Sequence, residues 1–243
     1  MDDVLLGTRP GEEHLHPKLV HDFLDWCEEH SYHLKPSKCV FMKPEIDFLG
    51  MHIGNGQVTI DPSKVSGISE WPRTLKNVRE VRSTLGVLGF QRPFIPNFAK
   101  IAKPLTDLLK KGIDFVWTDK CSEALNTLIS IVTSEPILVP PDLNEQFFLE
   151  VDASQYATGA ILYQADKVRK DRRGNPVLRP CGYHSQTFNA TEQRYPIYDR
   201  EYLAVIRGLR HWDYLLQGTT KPVVYSPSKK PVTSESRPGY LAG

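Results

Sequence analysis

Three groups of residues in the 243-residue sequence have side chains that could do chemistry. Asp2 and Asp3 stand side by side ahead of an apolar run, Val4-Leu-Leu6. Paired carboxylates on a tight hairpin can hold two Mg²⁺ ions and clamp a transferring phosphoryl group. A solvated acidic segment is the plainer reading of the same two residues taken alone. The second group is Asp152 with Glu201. Asp152 closes a strand-like run, Phe147-Phe-Leu-Glu-Val-Asp152, and Glu201 falls early in an amphipathic helical pattern. A strand and a helix packed on its sheet can bring two such carboxylates to one metal ion, although a strand-end cap and a surface glutamate remain the plainer alternative. The third group is basic: Lys167, Arg169, Lys170, Arg172 and Arg173 crowd one short stretch, where they can meet nucleic-acid phosphates or form a solvated hairpin loop.

Other candidates carry less. His14, His16, His21, His30, His33 and His52 cluster early, but no cysteine or carboxylate spacing makes them a metal set. Trp71, Trp117 and Trp212 fit packing better than base stacking. No P-loop, dinucleotide fingerprint or nucleophile elbow occurs.

The elements that must position these groups follow from hydrophobic periodicity. A helix is expected over 12–30, with Leu15, Leu19, Phe23 and Trp26 on one face. Strands are expected at 38–42, 46–53 and 57–60, with Gly54-Asn-Gly56 as a turn. Asp61-Pro-Ser63 reads as a helix start, and the helix it opens ends at Trp71-Pro72. Further helices are expected over 77–90, 98–110 and 119–133, and the Pro-rich stretch 135–142 reads as a linker. Beyond it the pattern gives strands at 147–151, 158–163 and 177–185. A long helix over 196–216 should bury Tyr202, Val205, Ile206, Leu209 and Trp212, and a last strand covers 223–225. From Pro227 the composition turns to Pro, Ser, Lys and Gly, which predicts a disordered tail over 227–243.

Composition bounds the function classes. With 40% hydrophobic and 24% charged residues, fibrous and wholly disordered chains are excluded. Lys and Arg total 30 against 29 Asp and Glu, but residues 1–60 hold 5 basic and 10 acidic side chains, and residues 143–243 hold 14 and 10. Any polyanion contact is therefore expected late in the chain. No apolar run reaches the ~18 residues of a membrane span. The four cysteines, Cys27, Cys39, Cys121 and Cys181, are far apart, which predicts a reducing, intracellular setting, cytoplasm or nucleus, and no membrane partner.

The order of the motifs adds a resemblance. Met1-Asp-Asp-Val-Leu-Leu6 is similar to the end of the Y-x-D-D motif of reverse transcriptases. It is followed by Leu34-Lys-Pro-Ser-Lys-Cys-Val-Phe41, Ile46-Asp-Phe-Leu-Gly-Met-His-Ile53, Ile60-Asp-Pro-Ser-Lys64, Glu70-Trp-Pro72, Phe94-Ile-Pro-Asn-Phe98, Ile101-Ala-Lys-Pro-Leu105 and Phe115-Val-Trp117. Phe148-Leu-Glu-Val-Asp-Ala-Ser154, Gly159-Ala-Ile-Leu162, Tyr183-His-Ser185 and the run from Tyr195 to Ala204 complete the series. This succession over about residues 1–226 resembles gypsy-type LTR retrotransposon polyproteins.

The resemblance implies an α+β and α/β chain in three parts and a tail. Residues 1–60 would be the last part of a reverse transcriptase palm, with a primer-grip hairpin at 46–53, and residues 61–142 a helical thumb and connection. Residues 143–226 would be an RNase H-like mixed sheet with a packed helix, truncated at its C-terminal side before the tail at 227–243. It also implies that Asp2 and Asp3 match polymerase metal ligands, that Asp152 and Glu201 match the first two RNase H carboxylates, and that Mg²⁺ and an RNA:DNA hybrid are the ancestral cofactor and partner. Two departures stand out. The tyrosine of Y-x-D-D and the upstream palm aspartate are absent, and Pro227 stands after Val223-Val-Tyr-Ser226 where the family has a third carboxylate. The expectation is an internal polyprotein piece, ancestrally RNA-directed DNA polymerase and ribonuclease, with weak or absent metal binding and weak nucleic-acid binding. The alternative is a non-catalytic nucleic-acid-binding remnant.

Overall fold

The computed structural model describes residues 3–8 and 11–227. Asp2 and the tail from 228 onward, on which two of the expectations above fall, lie outside the described residues.

Residues 3–8 form no strand, and Val4 and Leu5 are exposed. A strand needs a ladder partner, and none pairs with this run among the described residues. A 3-10 turn at Glu13–Leu15 leads into α1 (His16–Glu29). The expected face of this helix is wrong in part. Val20 and Cys27 are buried, whereas Leu15, Leu19 and Trp26 are exposed. Trp26 instead stacks on His30 and Tyr32, with ring centroids 4.5 and 5.2 Å away. The strand expected at 38–42 is replaced by a 3-10 turn at Pro36–Lys38 and irregular chain, in which Met42 has φ +53°, incompatible with an extended run.

The single strand expected over 46–53 is a hairpin. β1 (Glu45–Phe48) and β2 (Met51–Gly54) pair antiparallel, and β3 (Gln57–Ile60) adds a third strand in the order β1-β2-β3. Leu49 and Gly50 both have positive φ, as do Asn55 and Gly56, which suits two-residue turns whose twist matches that of the strands.

The helical module begins as its capping residues dictate. The Asp61 carboxylate accepts from Ser63 N (2.8 Å) at the start of α2 (Pro62–Ser69). Asn77 Oδ1 accepts from Glu80 N (2.9 Å), and Glu80 Oε2 accepts from Lys76 N (2.7 Å), so a reciprocal box opens α3 (Val78–Phe90). The helix expected over 98–110 is split into α4 (Phe98–Ile101) and α5 (Lys103–Asp107), because Pro104 has no N–H for a continuous ladder. Then α6 (Asp119–Thr133) follows as expected. Val81, Leu88, Leu105, Leu125, Leu128 and Val132 are fully buried in the core that these helices share.

Residues 135–142 are not a free linker. Leu138 and Val58 exchange both backbone hydrogen bonds at 2.9 Å, and Val139 N donates to Pro180 O (2.9 Å). Gln164 closes a further pair with the Asp142 backbone at 2.7 and 2.8 Å. The segment therefore stitches the first sheet to the second.

That second sheet is mixed. β4 (Phe147–Ala153), β5 (Ala157–Lys170), β6 (Pro176–Thr187) and β7 (Val224–Pro227) lie in the order β6-β5-β4-β7. β4–β5 and β5–β6 are antiparallel, and β4–β7 is parallel. β5 is far longer than expected, so part of the basic stretch is strand rather than loop. β7 ends on Pro227, which a sheet edge tolerates because its missing N–H breaks no inner ladder. The expected long helix is α7 (Ile197–His211) and α8 (Asp213–Leu216), broken at Trp212. Its buried face is Ala204, Val205, Gly208 and Trp212, and Tyr202 is 59% exposed rather than buried. Gly208 lets the helix come close, since a Cβ there would stand 3.3 Å from both Leu149 and Ala160.

Candidate carboxylate and nucleic-acid sites

Period-two alternation decides where the β4 side chains go. Phe147, Leu149 and Val151 pack with Ala160, Leu162 and the buried face of α7. Glu150 and Asp152 therefore face the other side. Asp152 sits opposite Gly159 in the β4–β5 ladder, one residue beyond Val151, which is paired with Pro227 of β7. Asp152 thus stands at the strand end beside the parallel edge strand.

Glu201 lies three and four residues ahead of Ala204 and Val205, so it shares the sheet-facing stripe of α7. The neighbouring Arg200 ties the helix to the same end of the sheet: its Nη1 donates to Ser154 O (3.2 Å), two residues past Asp152. Asp152 and Glu201 are accordingly brought to the same end of the unit. Asp3 is exposed and far along the chain from both.

Carboxylates are the right chemistry for Mg²⁺, which takes oxygen donors in a near-octahedral set. The number of donors does not fit a closed site. Among the described residues no group of three or more His, Cys, Asp or Glu side chains is arranged to hold a metal ion. The acid that sequence reasoning missed is Glu150. It is half-buried beside Asp152, and burial first and the Asp152 charge second push its carboxyl above the usual carboxylate range. The alternation in Phe-Phe-Leu-Glu-Val-Asp was the available signal, since it puts residues 150 and 152 on one face.

The other side of the sheet is held by the helical module. Ala99 N donates to Ser185 Oγ (3.0 Å), and Tyr183 packs into the helical core. Gly159 leaves room here for the Asn97 side chain, since a Cβ would come within 2.5 Å of Asn97 Oδ1. On the α7 side, His184 and His211 stack at 3.9 Å, with Trp212 edge-on to both. Burial, then the His211, Arg92 and Arg207 charges, lower the His184 pKa to about 4.

The five basic candidates do not act as one patch. Lys167 is engaged by Glu145 (3.1 Å) and Asp142 (3.4 Å), and Glu145 also takes Lys221 (3.0 Å). Arg169, Lys170, Arg172 and Arg173 are exposed and have no ion-pair partner among the described residues. No described helix is long and apolar enough to cross a membrane.

A mixed sheet with a parallel edge strand, a helix across one face and an acid at the central strand end directs comparison with nucleases and polymerases. Residues 117–224 match the family model of the RNase H-like domain found in reverse transcriptase, and residues 1–53 match that of reverse transcriptase (RNA-dependent DNA polymerase). The chain is homologous to the reverse transcriptase and RNase H-like region of retrotransposon polyproteins. The transposon Tf2-3 polyprotein of Schizosaccharomyces pombe is 31% identical over 222 residues, and the Tf2-7 polyprotein of the same organism 30%. Each alignment covers 91% of this chain, which spans 16% of the length of these curated relatives. Among solved structures, a foamy viral protease-reverse transcriptase in complex with an RNA/DNA hybrid superposes with a TM-score of 0.67 at 21% identity, covering 87% of this chain and 27% of that one. The same viral protein with double-stranded DNA gives 0.64 at 21% identity, covering 89% and 45%. These superpositions establish the mixed α/β fold: the end of a palm, a set of helices, then an RNase H-like sheet with its packed helix.

Proposed function

We propose that this chain is the palm end, thumb and connection, and RNase H-like part of a gypsy-type LTR retrotransposon polyprotein, and that its ligand is a nucleic-acid duplex. In this reading Asp2 and Asp3 belong to the polymerase metal site, and Asp152 and Glu201 are the first two RNase H carboxylates. The observation that supports it best is the position of Asp152: a strand-end acid beside a parallel edge strand, with Arg200 drawing the start of α7 to the same end. The domain limits 1–60, 61–142 and 143–226 belong to the same proposal.

By itself the 243-residue chain binds duplex without cleaving it. Mg²⁺, when bound, would supply charge neutralisation at a scissile phosphate. Asp152 and Glu201 would offer it two carboxylates, and the ladder brings Pro227 to Val151 where a third acid is needed. The test is a labelled RNA:DNA hybrid incubated with the chain and Mg²⁺. We expect binding by anisotropy and no cleavage above a mock preparation. Metal-dependent cleavage that is lost in Asp152→Asn would overturn the second half of the proposal, and failure to bind any duplex would overturn the first. Primer extension on an RNA template, with an Asp2→Asn/Asp3→Asn control, tests the polymerase half in the same way, and no extension is expected.

The second reading, a non-catalytic nucleic-acid-binding remnant, is favoured by one observation. The four unpaired cations at 169–173 are remote in sequence from every candidate carboxylate of the metal sites.

A further inference from the structure

The β5–β6 hairpin runs well beyond the strands that flank it. β5 has 14 residues, whereas its neighbour β4 has 7 and is paired along Phe147–Ala153 to β5 residues 158–164. From Ala165 onward β5 has only β6 beside it, so the two strands leave the sheet as a ribbon. The ribbon is irregular in a specific way. Ala165 pairs with Leu178 and Lys170 with Pro176, so residues 166–169 bulge against Val177 alone. Asp166 builds that bulge: its Oδ1 accepts from Val168 N and Arg169 N, both at 2.9 Å, and its second oxygen faces Arg179 Nη1 at 3.6 Å. Asp171 builds the tip in the same manner, accepting from Arg173 N (2.8 Å) and Asn175 N (2.9 Å), with Gly174 at φ +86° closing the turn. Both acids are thus occupied in holding the backbone, while Arg169, Lys170, Arg172 and Arg173 beside them are exposed.

We propose that this ribbon is a preformed arm that contacts the phosphates of a nucleic-acid duplex through Arg169, Lys170, Arg172 and Arg173, and that Lys167 is the latch that fixes the arm to the body. The proposal rests on the duplex-binding reading above and adds the contact residues and their geometry. A ribbon that stands clear of the sheet can reach the phosphates along a duplex of either helical form, a contact that needs no groove of a given width. Its tip and bulge are already ordered by Asp166 and Asp171, so binding forfeits little backbone freedom. A lipid surface is the poorer partner: interfacial segments bury an apolar face, and the ribbon offers Val168 alone as an exposed large apolar side chain. The latch is at the base. Lys167 spans Glu145 and Asp142, and Lys221, from the loop before β7, holds Glu145 from the other side.

Four phosphate contacts give a slope of about −3.6 in log affinity against log salt, or about a 150-fold loss between 50 and 200 mM. The test measures hybrid binding by the full chain across that range. In R169S/K170S/R172S/R173S the slope should fall by about 3 to 4. In the charge-preserving R169K/R172K/R173K it should be unchanged, which separates charge from fold. Lys167→Ser should leave the slope intact while amides at 168–175 exchange faster with deuterium. A quadruple variant that melts like the parent but keeps its slope would overturn the arm and leave the duplex-binding reading standing. Absence of hybrid binding by the parent chain would overturn both. Loss of binding to phosphatidylserine vesicles, with hybrid binding untouched, would reassign the arm to membranes and overturn the proposal.

Discussion

Helices α1 and α7 are nearly equal in length, 14 and 15 residues, and both are amphipathic in sequence. They end up in opposite conditions. α7 lies on a sheet and buries Ala204, Val205 and Gly208 against Leu149, Ala160 and Leu162. α1 buries Val20 and Cys27, and leaves Leu15, Leu19 and Trp26 in solvent. Helical periodicity describes one element, whereas stability comes from the layer that covers it. Where the second sheet supplies that layer the helix is fixed, and where the described residues supply none the apolar stripe is bare.

The largest expected effect is therefore in the core under α7. Leu149 is fully buried between the sheet and the helix, so Leu149→Ala should destabilise the sheet unit by about 2–5 kcal/mol. Leu19→Ala on α1 should change stability by less than about 0.5 kcal/mol, as exposed positions do. Urea denaturation followed at residues of each helix by hydrogen exchange would measure both. Equal losses would mean that α1 is covered in solution.

The second effect lies where the sheet meets the helical module. Gly159→Ala should cost about 1–3 kcal/mol, since its methyl group would meet Asn97 Oδ1 at 2.5 Å. Asn97 has φ +54°, so Asn97→Gly removes the obstructing side chain in a backbone conformation that glycine accepts. The pair Gly159→Ala/Asn97→Gly should recover most of the loss in a double-mutant cycle. Additive losses would show that the clash is relieved elsewhere.

The third contrast is between two histidine environments of opposite sign. Burial lowers His184 from the ordinary 6.5 to about 4, and burial with the Arg92 charge lowers His211 as well. The unfolded chain then binds protons that the folded chain refuses. This part of the stability is whole above about 6.5 and is lost as pH falls toward 4, by about 1–2 kcal/mol once solvent screening of these half-exposed rings is allowed for. Arg92, Arg207 and the Trp212 ring face the pair, and a second charge there would add repulsion. His52 behaves in reverse. Its hydrogen bond to Asp47 (2.7 Å) raises its pKa, so its contribution is present at low pH and is lost as pH rises past the raised value. Thermal melts of His184→Gln and His52→Gln against pH should flatten the acid limb and the limb near neutrality respectively. Unchanged profiles would count against both assignments.

Much of this was legible in the sequence, and what was not has physical causes. Asp61, Asn77 and Asn55-Gly56 act within a few residues of themselves, so caps and turn fall where the sequence puts them. The strands expected at 147–151 and 223–225 and the strand-end position of Asp152 follow from alternation and motif order, whereas Pro227, expected in the tail, is paired with Val151 as the last residue of β7. Tyr202 was misplaced because the buried stripe of α7 is chosen by the fit of Gly208 and Ala204 to the sheet, a property of two surfaces. The stitching of 135–142 was invisible because prolines mark an absence of helix and say nothing of what the remaining N–H groups will find. For the same reason Lys167 could not be told from its four basic neighbours: its partners, Asp142 and Glu145, are more than twenty residues away.

The smallest effect tests the helix ends of the same comparison. Asn77 has extended backbone, φ −159° and ψ 167°, and its side chain caps α3, so Asn77→Ala should cost about 1 kcal/mol. Leu15 stands in the corresponding place before α1 and makes no side-chain cap. It has φ −83° and ψ −15°, because the 3-10 turn at Glu13–Leu15 runs directly into the helix. A serine there would not have the extended backbone from which a hydroxyl reaches the N–H of the second or third helical residue. Leu15→Ser should therefore gain no more than a few tenths of a kcal/mol, although it replaces an exposed leucine at a helix start. Circular dichroism melts of the two variants would compare them. A gain near 1 kcal/mol from Leu15→Ser would mean that the turn before α1 opens in solution and that the helix begins at His16 with an ordinary cap.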